Sequence, residues 1–450
     1  MSMRKLFGTD GIRGVAGEFP LDDTTVRTIG RALSQQFTKK LGRAPRFATG
    51  RDTRESGERI ERAFQAGAAS HGAECKSSGV ITTPGVAFVT GKFDFDAGIV
   101  ISASHNPYKD NGIKIFLPDG KKVGEEVERV IENAVHESNL DEVKIEEIGF
   151  DDSMAETFQA EYSKHLISEV EGLSLTGVKI AVDCANGAAS DFAPRLFKSL
   201  GADVVALHAT PDGRNINENC GSLHLEHLQK SVLDENADFG VAFDGDADRA
   251  LFVDEKGSIV DGDGTLWIMS RFLRDRGGLK NDTVVATVMS NIGLEIALAS
   301  RGLKLLRTPV GDKYVLDELL KSGSDLGGEQ SGHVIFPKES LVGDGMMTAL
   351  FMLDALRTQG GRFSEMTNGF VRYPQVLVNV HVREKKPFGD IDEIATASKK
   401  IEDQLEGEGR LLLRYSGTEN LARVMIEGKD QTRIEEQANS LADVIRASLG

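Results

Sequence analysis

One pattern recurs along this chain and limits what it can fold into: strand, polar turn, helix, glycine, strand. Val178-Lys179-Ile180-Ala181-Val182 runs into Asp183-Cys184-Ala185-Asn186-Gly187, a helical stretch follows, and Gly201 precedes a second apolar run, Val204-Val205-Ala206-Leu207. Val284-Val285-Ala286-Thr287-Val288 repeats the order with Ser290-Asn291, a helix, Gly302 and Leu303 to Leu306. A further copy starts near Arg46, with Phe47-Ala48 leading to Gly50-Arg51-Asp52, a helix to about Ser70, Gly72, and a strand near Val80-Ile81. Each copy is a βαβ unit, in which a buried strand and an amphipathic helix alternate. Copies about 110 to 130 residues apart predict three similar α/β domains. The first helix shows the helical period plainly: Val26, Ile29, Leu33 and Phe37 share one face, and Leu21-Asp22-Asp23 supplies its cap.

After Gly360-Gly361 and Asn368-Gly369 the character changes. Val376 to Val382 alternates as a half-exposed strand does. A helix from about Ile391 to Leu405, strands at Leu411-Leu412-Leu413 and Arg423 to Ile426, and a last helix complete a smaller α+β domain. The acid-rich stretch 135–156 fits a linker or connecting hairpin. The expected domains are therefore 1–155, 156–256, 257–368 and 369–450, which suits a chain of 450 residues.

The formal net charge of −17 argues against a partner that is gripped by the whole surface, such as nucleic acid or an anionic membrane. Phosphate must then be bound at local sites. The three cysteines, Cys75, Cys184 and Cys220, form no CxxC pair, which fits a reducing cytoplasm. No signal peptide is visible, and no apolar run approaches membrane-spanning length.

Four short segments carry chemistry. In the first, the apolar run Ala97 to Ile101 ends abruptly in Ser102-Ala103-Ser104-His105-Asn106-Pro107. Two serines, a histidine and an asparagine in one tight turn suggest a reactive hydroxyl. A serine hydrolase would want a Gly-x-Ser-x-Gly elbow, which is missing around Ser104, so a metal-assisted phosphoserine fits better. In the second, Asp244-Gly245-Asp246-Ala247-Asp248-Arg249 joins two apolar strands. Three carboxylates at alternate positions in a tight turn can converge on one hard cation, and with no His or Cys among them Mg²⁺ is favoured over zinc. The nearby Asp261-Gly262-Asp263 has two carboxylates only and reads as a turn.

The third segment is Gly328-Glu329-Gln330-Ser331-Gly332-His333. If extended, Glu329, Ser331 and His333 point the same way and suit a polyhydroxy ligand with proton transfer. The fourth is Arg414-Tyr415-Ser416-Gly417-Thr418-Glu419-Asn420 with Arg423, whose arginines, hydroxyls and close-approach glycine make a phosphate cradle. Because each segment falls in a different unit, the expected architecture is three α/β domains with mixed sheets plus a smaller α+β domain, all around one central cleft.

With Leu6-Phe7-Gly8-Thr9-Asp10-Gly11-Ile12-Arg13-Gly14, these segments resemble the α-D-phosphohexomutase family in its own motif order over essentially the whole chain. Gln330, Asn186-Gly187 and Cys220-Gly221-Ser222-Leu223-His224 are similar to its glucosamine branch, although Leu223 stands where that branch often has Thr and Asn420 where the family usually has Pro. The resemblance implies an isomerase that moves phosphate between the 6- and 1-positions of glucosamine, feeding UDP-N-acetylglucosamine synthesis. It implies Ser104 as phosphoserine, with Asp244, Asp246, Asp248 and an oxygen of that phosphate holding one Mg²⁺ per subunit. Glucosamine 1,6-bisphosphate is its implied intermediate and activator. Glu329 and Ser331 hold sugar hydroxyls; Arg414, Ser416, Gly417, Thr418 and Arg423 grip the non-reacting phosphate. Lys114 and His333 are its candidates for proton transfer, Arg249 and Arg13 for stabilising the moving phosphoryl group, and Ser102 is the rival nucleophile. The implied C-terminal domain is a mobile lid, the implied partner a small phosphosugar, and a homodimer is compatible with it. Alternative readings are a phosphoglucomutase or phosphomannomutase, a Mg²⁺-dependent sugar-phosphate phosphatase with a serine phosphoenzyme, and a non-catalytic sugar-phosphate binder.

Overall fold

A computed structural model describes residues 5–8, 10–137, 150–405, 407–416 and 419–450. The chain packs as two compact units, residues 1–289 with 305–368, and residues 290–304 with 369–450.

The first unit opens with strands β1 (Phe7–Gly8) and β2 (Gly11–Val15), helix α1 (Asp23–Leu41), β3 (Arg46–Arg51), α2 (Gly57–Ala69), β4 (Glu74–Val80), α3 (Thr83–Lys92), β5 (Ala97–Ile101), β6 (Asp110–Phe116) and α4 (Glu125–Glu137). These form a six-stranded sheet ordered β1-β2-β6-β5-β3-β4, in which β3 pairs parallel with β4 and β5 while β6 pairs antiparallel with β5 and β2. The sheet is mixed because a βαβ crossover is followed by a hairpin-like return. All five residues of β5 are buried, as a strand covered on both faces must be. On one face pack α1, α2 and α4, through Val26, Ile29, Leu33, Phe37 and Ile131. Helix α1 starts where its cap predicts: the Asp22 carboxylate accepts from the Thr25 N–H.

Next come α5 (Ala155–Ser168), β7 (Lys179–Asp183), α6 (Ala189–Ser199), β8 (Asp203–Leu207), α7 (Glu226–Asp234), β9 (Phe239–Phe243), β10 (Ala250–Asp254) and β11 (Ile259–Val260). They build a five-stranded sheet ordered β11-β10-β9-β7-β8. The unit ends with α8 (Gly262–Asp275), β12 (Thr283–Thr287), and, beyond α9 (Ile292–Ser300), β13 (Lys304–Thr308), α10 (Asp312–Ser322), β14 (Gly327–Gly328), β15 (Val334–Ile335), α11 (Gly345–Gln359) and α12 (Phe363–Met366). Its third sheet is ordered β13-β12-β14-β15.

Residues 290–304, which include α9, belong to the second unit, with β16 (Gln375–His381), α13 (Asp392–Leu405), β17 (Arg410–Tyr415), β18 (Leu421–Glu427) and α14 (Gln431–Leu449). Its antiparallel sheet is ordered β16-β18-β17 and closes over Ile394, Ile401, Leu441 and Ile445. The βαβ copies, the mixed sheets and the α+β tail are those expected from the sequence.

Two expectations need correction. Asp261-Gly262-Asp263 is not a free turn: Asp261 caps α8, accepting from the Asp263 and Gly264 N–H groups. Burial of Leu266, Trp267, Ile268, Met269 and Phe272 drives that helix. Nor is Glu329 to His333 extended. It is the tight turn of a β14–β15 hairpin, in which Gly332 takes a φ of 91° and donates to the Glu329 carbonyl. Of the acid-rich stretch 135–156, the first residues finish α4, and 138–149 lie outside the described residues.

Candidate active site

The three chemistry-bearing loops of the first unit each follow a strand: Ser102–Pro107 after β5, Asp244–Arg249 after β9 and Glu329–His333 after β14. The first two touch. The Ser104 hydroxyl donates to Asp244 Oδ2 at 2.5 Å and lies 3.1 Å from His105 Nδ1. Ser104 itself has φ of 53°, the left-handed region that a residue with a Cβ rarely adopts. Gly245 lets the loops approach this closely, since a Cβ there would sit 2.5 Å from the Ser104 carbonyl oxygen. Ser102 faces elsewhere: its hydroxyl donates to Asp52 Oδ2 at 2.6 Å and accepts from the Ser104 N–H at 2.9 Å. It braces the loop rather than facing the aspartates.

Asp244, Asp246 and Asp248 are all buried, and their ligand oxygens lie within 4.8 Å of one another. Among the described residues, Oδ1 of Asp246 and Oδ1 of Asp248 accept no hydrogen bond. Buried carboxylate oxygens without donors are costly, and a hard divalent cation is the partner that suits an all-oxygen set. The residues present therefore fit Mg²⁺.

Burial, then the like charges of Asp248 and Asp246, push Asp244 well above the usual carboxylate range. Burial also opposes ionisation of Asp248, but Lys114, His333 and Arg249 outweigh it and hold that carboxyl low. Lys114, on β6, is 1 % exposed, with Nζ 2.9 Å from Asp246, 3.1 Å from Asp10 and 3.4 Å from Asp248. Desolvation favours its neutral form, yet those three carboxylates keep it charged and raise its pKa. His333 is likewise desolvated, but Asp248 and Asp312, at 3.7 and 4.0 Å, push it up to about 9. Both proton-transfer candidates thus sit here as cations.

Beside the loops lies a cavity of about 540 Å³ bounded by Arg13, His105, Asp248, Arg249, Glu329, Ser331 and His333. Its size suits a small ligand. Nε of Arg13 and Nε of Arg249 make no hydrogen bond among the described residues, and the His105 imidazole is pushed down to about 4 by burial, then by Arg249 and Arg13. That wall is positive and would favour an anion. Glu329 Oε1 accepts from the Gly311 N–H at 3.2 Å, which fixes its carboxylate at the cavity.

In the second unit, Arg414 and Arg423 are register partners across β17 and β18. Burial, then the neighbouring Arg423, lowers the Arg414 pKa. Ser416 follows β17, and its hydroxyl accepts from the Glu419 N–H at 3.3 Å. Gly417 and Thr418 lie outside the described residues.

Several residues that brace the loops have no signal in the sequence. Thr83 donates to Asp246 Oδ2 at 2.5 Å and Asn217 to the Ser104 carbonyl at 2.9 Å. Lys122 bridges Asp10 and Asp312, each at 2.6 Å, and so ties the β1–β2 turn to α10. Arg54, fully buried, donates to the carbonyls of Ser104, Asn106, Pro107 and Asp110. Thr83, Asn217, Lys122 and Arg54 fall in none of the motifs.

Profiles of the phosphoglucomutase/phosphomannomutase alpha/beta/alpha domains I, II and III match residues 4–142, 160–257 and 261–373, and the profile of its C-terminal domain matches 377–444. The chain is 48% identical over 447 residues to a phosphoglucosamine mutase of Solibacter usitatus, covering 99% of each. It is 46% identical over 458 residues to one of Koribacter versatilis, covering 100% of this chain and 98% of the relative. Among solved structures, a phosphoglucomutase/phosphomannomutase family protein from Burkholderia thailandensis superposes with a TM-score of 0.80 at 24% identity, over 99% of this chain and 98% of that one. An Aspergillus fumigatus N-acetylphosphoglucosamine mutase, in complex with GlcNAc-6P and magnesium, gives 0.69 at 19% identity, over 99% and 96%. At these identities the structural likeness shows the fold alone.

Proposed function

The chain belongs to the phosphoglucomutase/phosphomannomutase family, and from that premise we propose that it is a mutase interconverting glucosamine 6-phosphate and glucosamine 1-phosphate. Relatives of that activity at 44–48% identity over the full chain support the substrate. The observation that carries the chemistry is the Ser104 hydroxyl placed 2.5 Å from the buried Asp244 carboxylate.

In the proposed reaction Ser104 carries a phosphoryl group. The P–Oγ bond breaks as a P–O bond forms to the sugar 1-hydroxyl, whose proton ends on the departing Ser104 Oγ. The resulting glucosamine 1,6-bisphosphate turns over, its 6-phosphate returns to Ser104, and the Ser104 hydroxyl proton ends on the 6-oxygen. Arg13 and Arg249, which line the cavity, are the proposed holders of the equatorial oxygens of the group in flight. Lys114 and His333, whose pKa values are raised, are the proposed relay for that proton: one donates to the leaving oxygen and regains a proton from the attacking hydroxyl. Asp244, Asp246 and Asp248 would hold Mg²⁺, which supplies positive charge to the transferring phosphoryl group when bound. Glu329 and Ser331 are the proposed ligands of sugar hydroxyls. In the second unit, Arg414, Ser416, Gly417, Thr418 and Arg423 are the proposed grip for the other phosphate.

The test is direct. Intact mass of the purified protein should show one added phosphoryl group, lost in Ser104→Ala together with mutase turnover. kcat/KM should be highest for glucosamine 6-phosphate among the glucosamine, glucose and mannose 6-phosphates. Normal turnover by Ser104→Ala would end the proposal, and net release of inorganic phosphate would convert it to a phosphatase.

A further inference from the structure

The second sheet holds a group of metal-type ligands that plays no part in the reaction above. Asp183 is the last residue of β7 and is fully buried. One of its oxygens accepts from the Ala185 N–H at 2.9 Å, and the other lies 3.0 Å from Nδ1 of His208, the residue just after β8. Cys220, buried and free of any disulfide, reaches the same point from the loop before α7. One ligand atom from each of the three falls within 4.8 Å of the other two. The far nitrogen of His208 is 3.3 Å from Nδ1 of His227, in the first turn of α7, and the two rings stack with centroids 5.3 Å apart.

We propose that Asp183, His208 and Cys220 form a second metal site, for zinc, oriented by His227. Thiolate, imidazole and carboxylate are a zinc set and a poor magnesium set. The spacing supports this. Two ligands each about 2.0–2.1 Å from a tetrahedral ion stand roughly 3.3 Å apart, so the Asp183–His208 pair needs to open by only a few tenths of an ångström from its observed 3.0 Å. A histidine bound through Nδ1 carries its hydrogen on Nε2, and His227 Nδ1 stands ready to accept it, as outer-shell partners of metal-bound histidines do. On binding, the Cys220 S–H bond breaks, an S–Zn bond forms, and the proton leaves to solvent. His208 is partly exposed, which leaves the fourth position to water.

The site has a structural consequence. A Cβ on Gly221 would lie 2.6 Å from the Phe243 carbonyl, so the Cys220 segment presses on the residue just before Asp244. Zinc would pin the loop between β8 and α7 to the sheet directly beside the turn that carries the aspartate triad.

Cobalt(II) tests this, because only a thiolate ligand produces sulfur-to-cobalt charge transfer in the near ultraviolet, and the aspartate triad has no sulfur. The metal-depleted full chain is titrated with Co²⁺ under saturating Mg²⁺. The expected result is one charge-transfer band per chain, bleached by stoichiometric Zn²⁺, absent in Cys220→Ser and retained in Asp246→Asn. Zn²⁺ should also raise the melting midpoint of the native chain but not of Cys220→Ser. If Cys220→Ser does not fold, His208→Gln serves instead, with the band lost or shifted. Absence of a band in the native chain, or an unchanged band in a folded Cys220→Ser or His208→Gln, overturns the proposal and leaves Asp183–His208 a plain hydrogen-bonded pair.

Discussion

Arg54→Met is the substitution that most sharply tests how the serine loop is held. The guanidinium is completely buried and donates from Nε to Asp52 Oδ2 at 2.9 Å. Its other nitrogens donate to the carbonyls of Ser104 at 2.9 Å, Asn106 at 2.8 Å, Asp110 at 3.0 Å, and Pro107. Methionine fills much of the volume and makes none of these bonds. The largest loss is the ion pair, because Asp52 stays behind as a buried charge; breaking such a pair from one side costs about 3–5 kcal/mol. The orphaned carbonyls add little more, since Asn217 still donates to Ser104 and Asn106 and the Asp110 N–H still reaches Pro107. The Asp110 carbonyl is the exception, worth ~1 kcal/mol. A total of ~5 kcal/mol corresponds to roughly 7 °C of melting temperature for the first unit, at about 2.1 cal/mol/K of unfolding entropy per residue.

Thermal and urea unfolding give the number, and Asp52→Asn supplies the control. Neutralising the aspartate removes most of the penalty, so Arg54→Met with Asp52→Asn should be at least ~2 kcal/mol more stable than additivity allows. Arg54→Lys keeps the charge but loses the fork that spans several carbonyls, and should sit between the two. Arg54→Met within ~1 kcal/mol of the native chain, or no coupling with Asp52→Asn, would refute the reasoning.

Gly245→Ala should lose ~1–3 kcal/mol and most turnover, because its Cβ meets the Ser104 carbonyl at 2.5 Å and Ile216 at 2.9 Å; differential scanning calorimetry and the mutase assay check both. Lys114→Met leaves Asp10, Asp246 and Asp248 without their shared cation. The metal-free variant should lose about 3 kcal/mol or more, and added Mg²⁺ should raise its melting temperature more than that of the native chain; an equal Mg²⁺ shift in both would show that the lysine and the metal do not share carboxylates. Asp344, buried at the N-cap of α11, is pushed up to about 6, chiefly by burial. A carboxyl raised in the fold stabilises below its unfolded pKa and loses that stability as pH rises through the folded one. Asp344→Asn should therefore gain on the native chain by up to ~3 kcal/mol between about pH 4 and 6, measured by urea unfolding at each pH, and a flat difference would place the carboxyl at its ordinary pKa.

What the sequence made legible followed from burial and local period. Strands covered on both faces read as unbroken apolar runs, so β5 and β9 were visible, and α1 announced itself by its stripe and its Asp22 cap. The aspartate turn was visible because like charges so close together need a reason. What stayed hidden depended on contacts across long separations. Lys122 reaches Asp312 over 190 positions and Thr83 reaches Asp246 over 163, and neither Lys122 nor Thr83 is marked by its neighbours. Asp261 is a different failure. Its helix signal was present in the apolar residues that follow, but two Asp flanking a Gly looked more like a turn.

The hairpin at Glu329 points to something common to all three loops of the first unit. Each contains a residue in left-handed conformation: Ser104 at φ 53°, Ala247 at 55° and Gly332 at 91°. Gly332 adopts it freely, whereas Ser104 and Ala247 carry a Cβ and are strained. Glycine would relieve that strain at 104 but would remove the hydroxyl that faces Asp244. The strain therefore has to be held from outside, and the buried set does this: Arg54 and Asn217 fix the Ser104 carbonyl while Ser102 fixes its N–H. Both polar groups of the strained peptide unit are thus clamped by side chains, and Asp52 anchors the clamp by bonding Arg54 and Ser102 at once. A clamp of this kind predicts where tolerance ends. Substitutions in the strands behind the loop should cost stability and leave the serine's geometry alone, whereas loss of Arg54 should cost both.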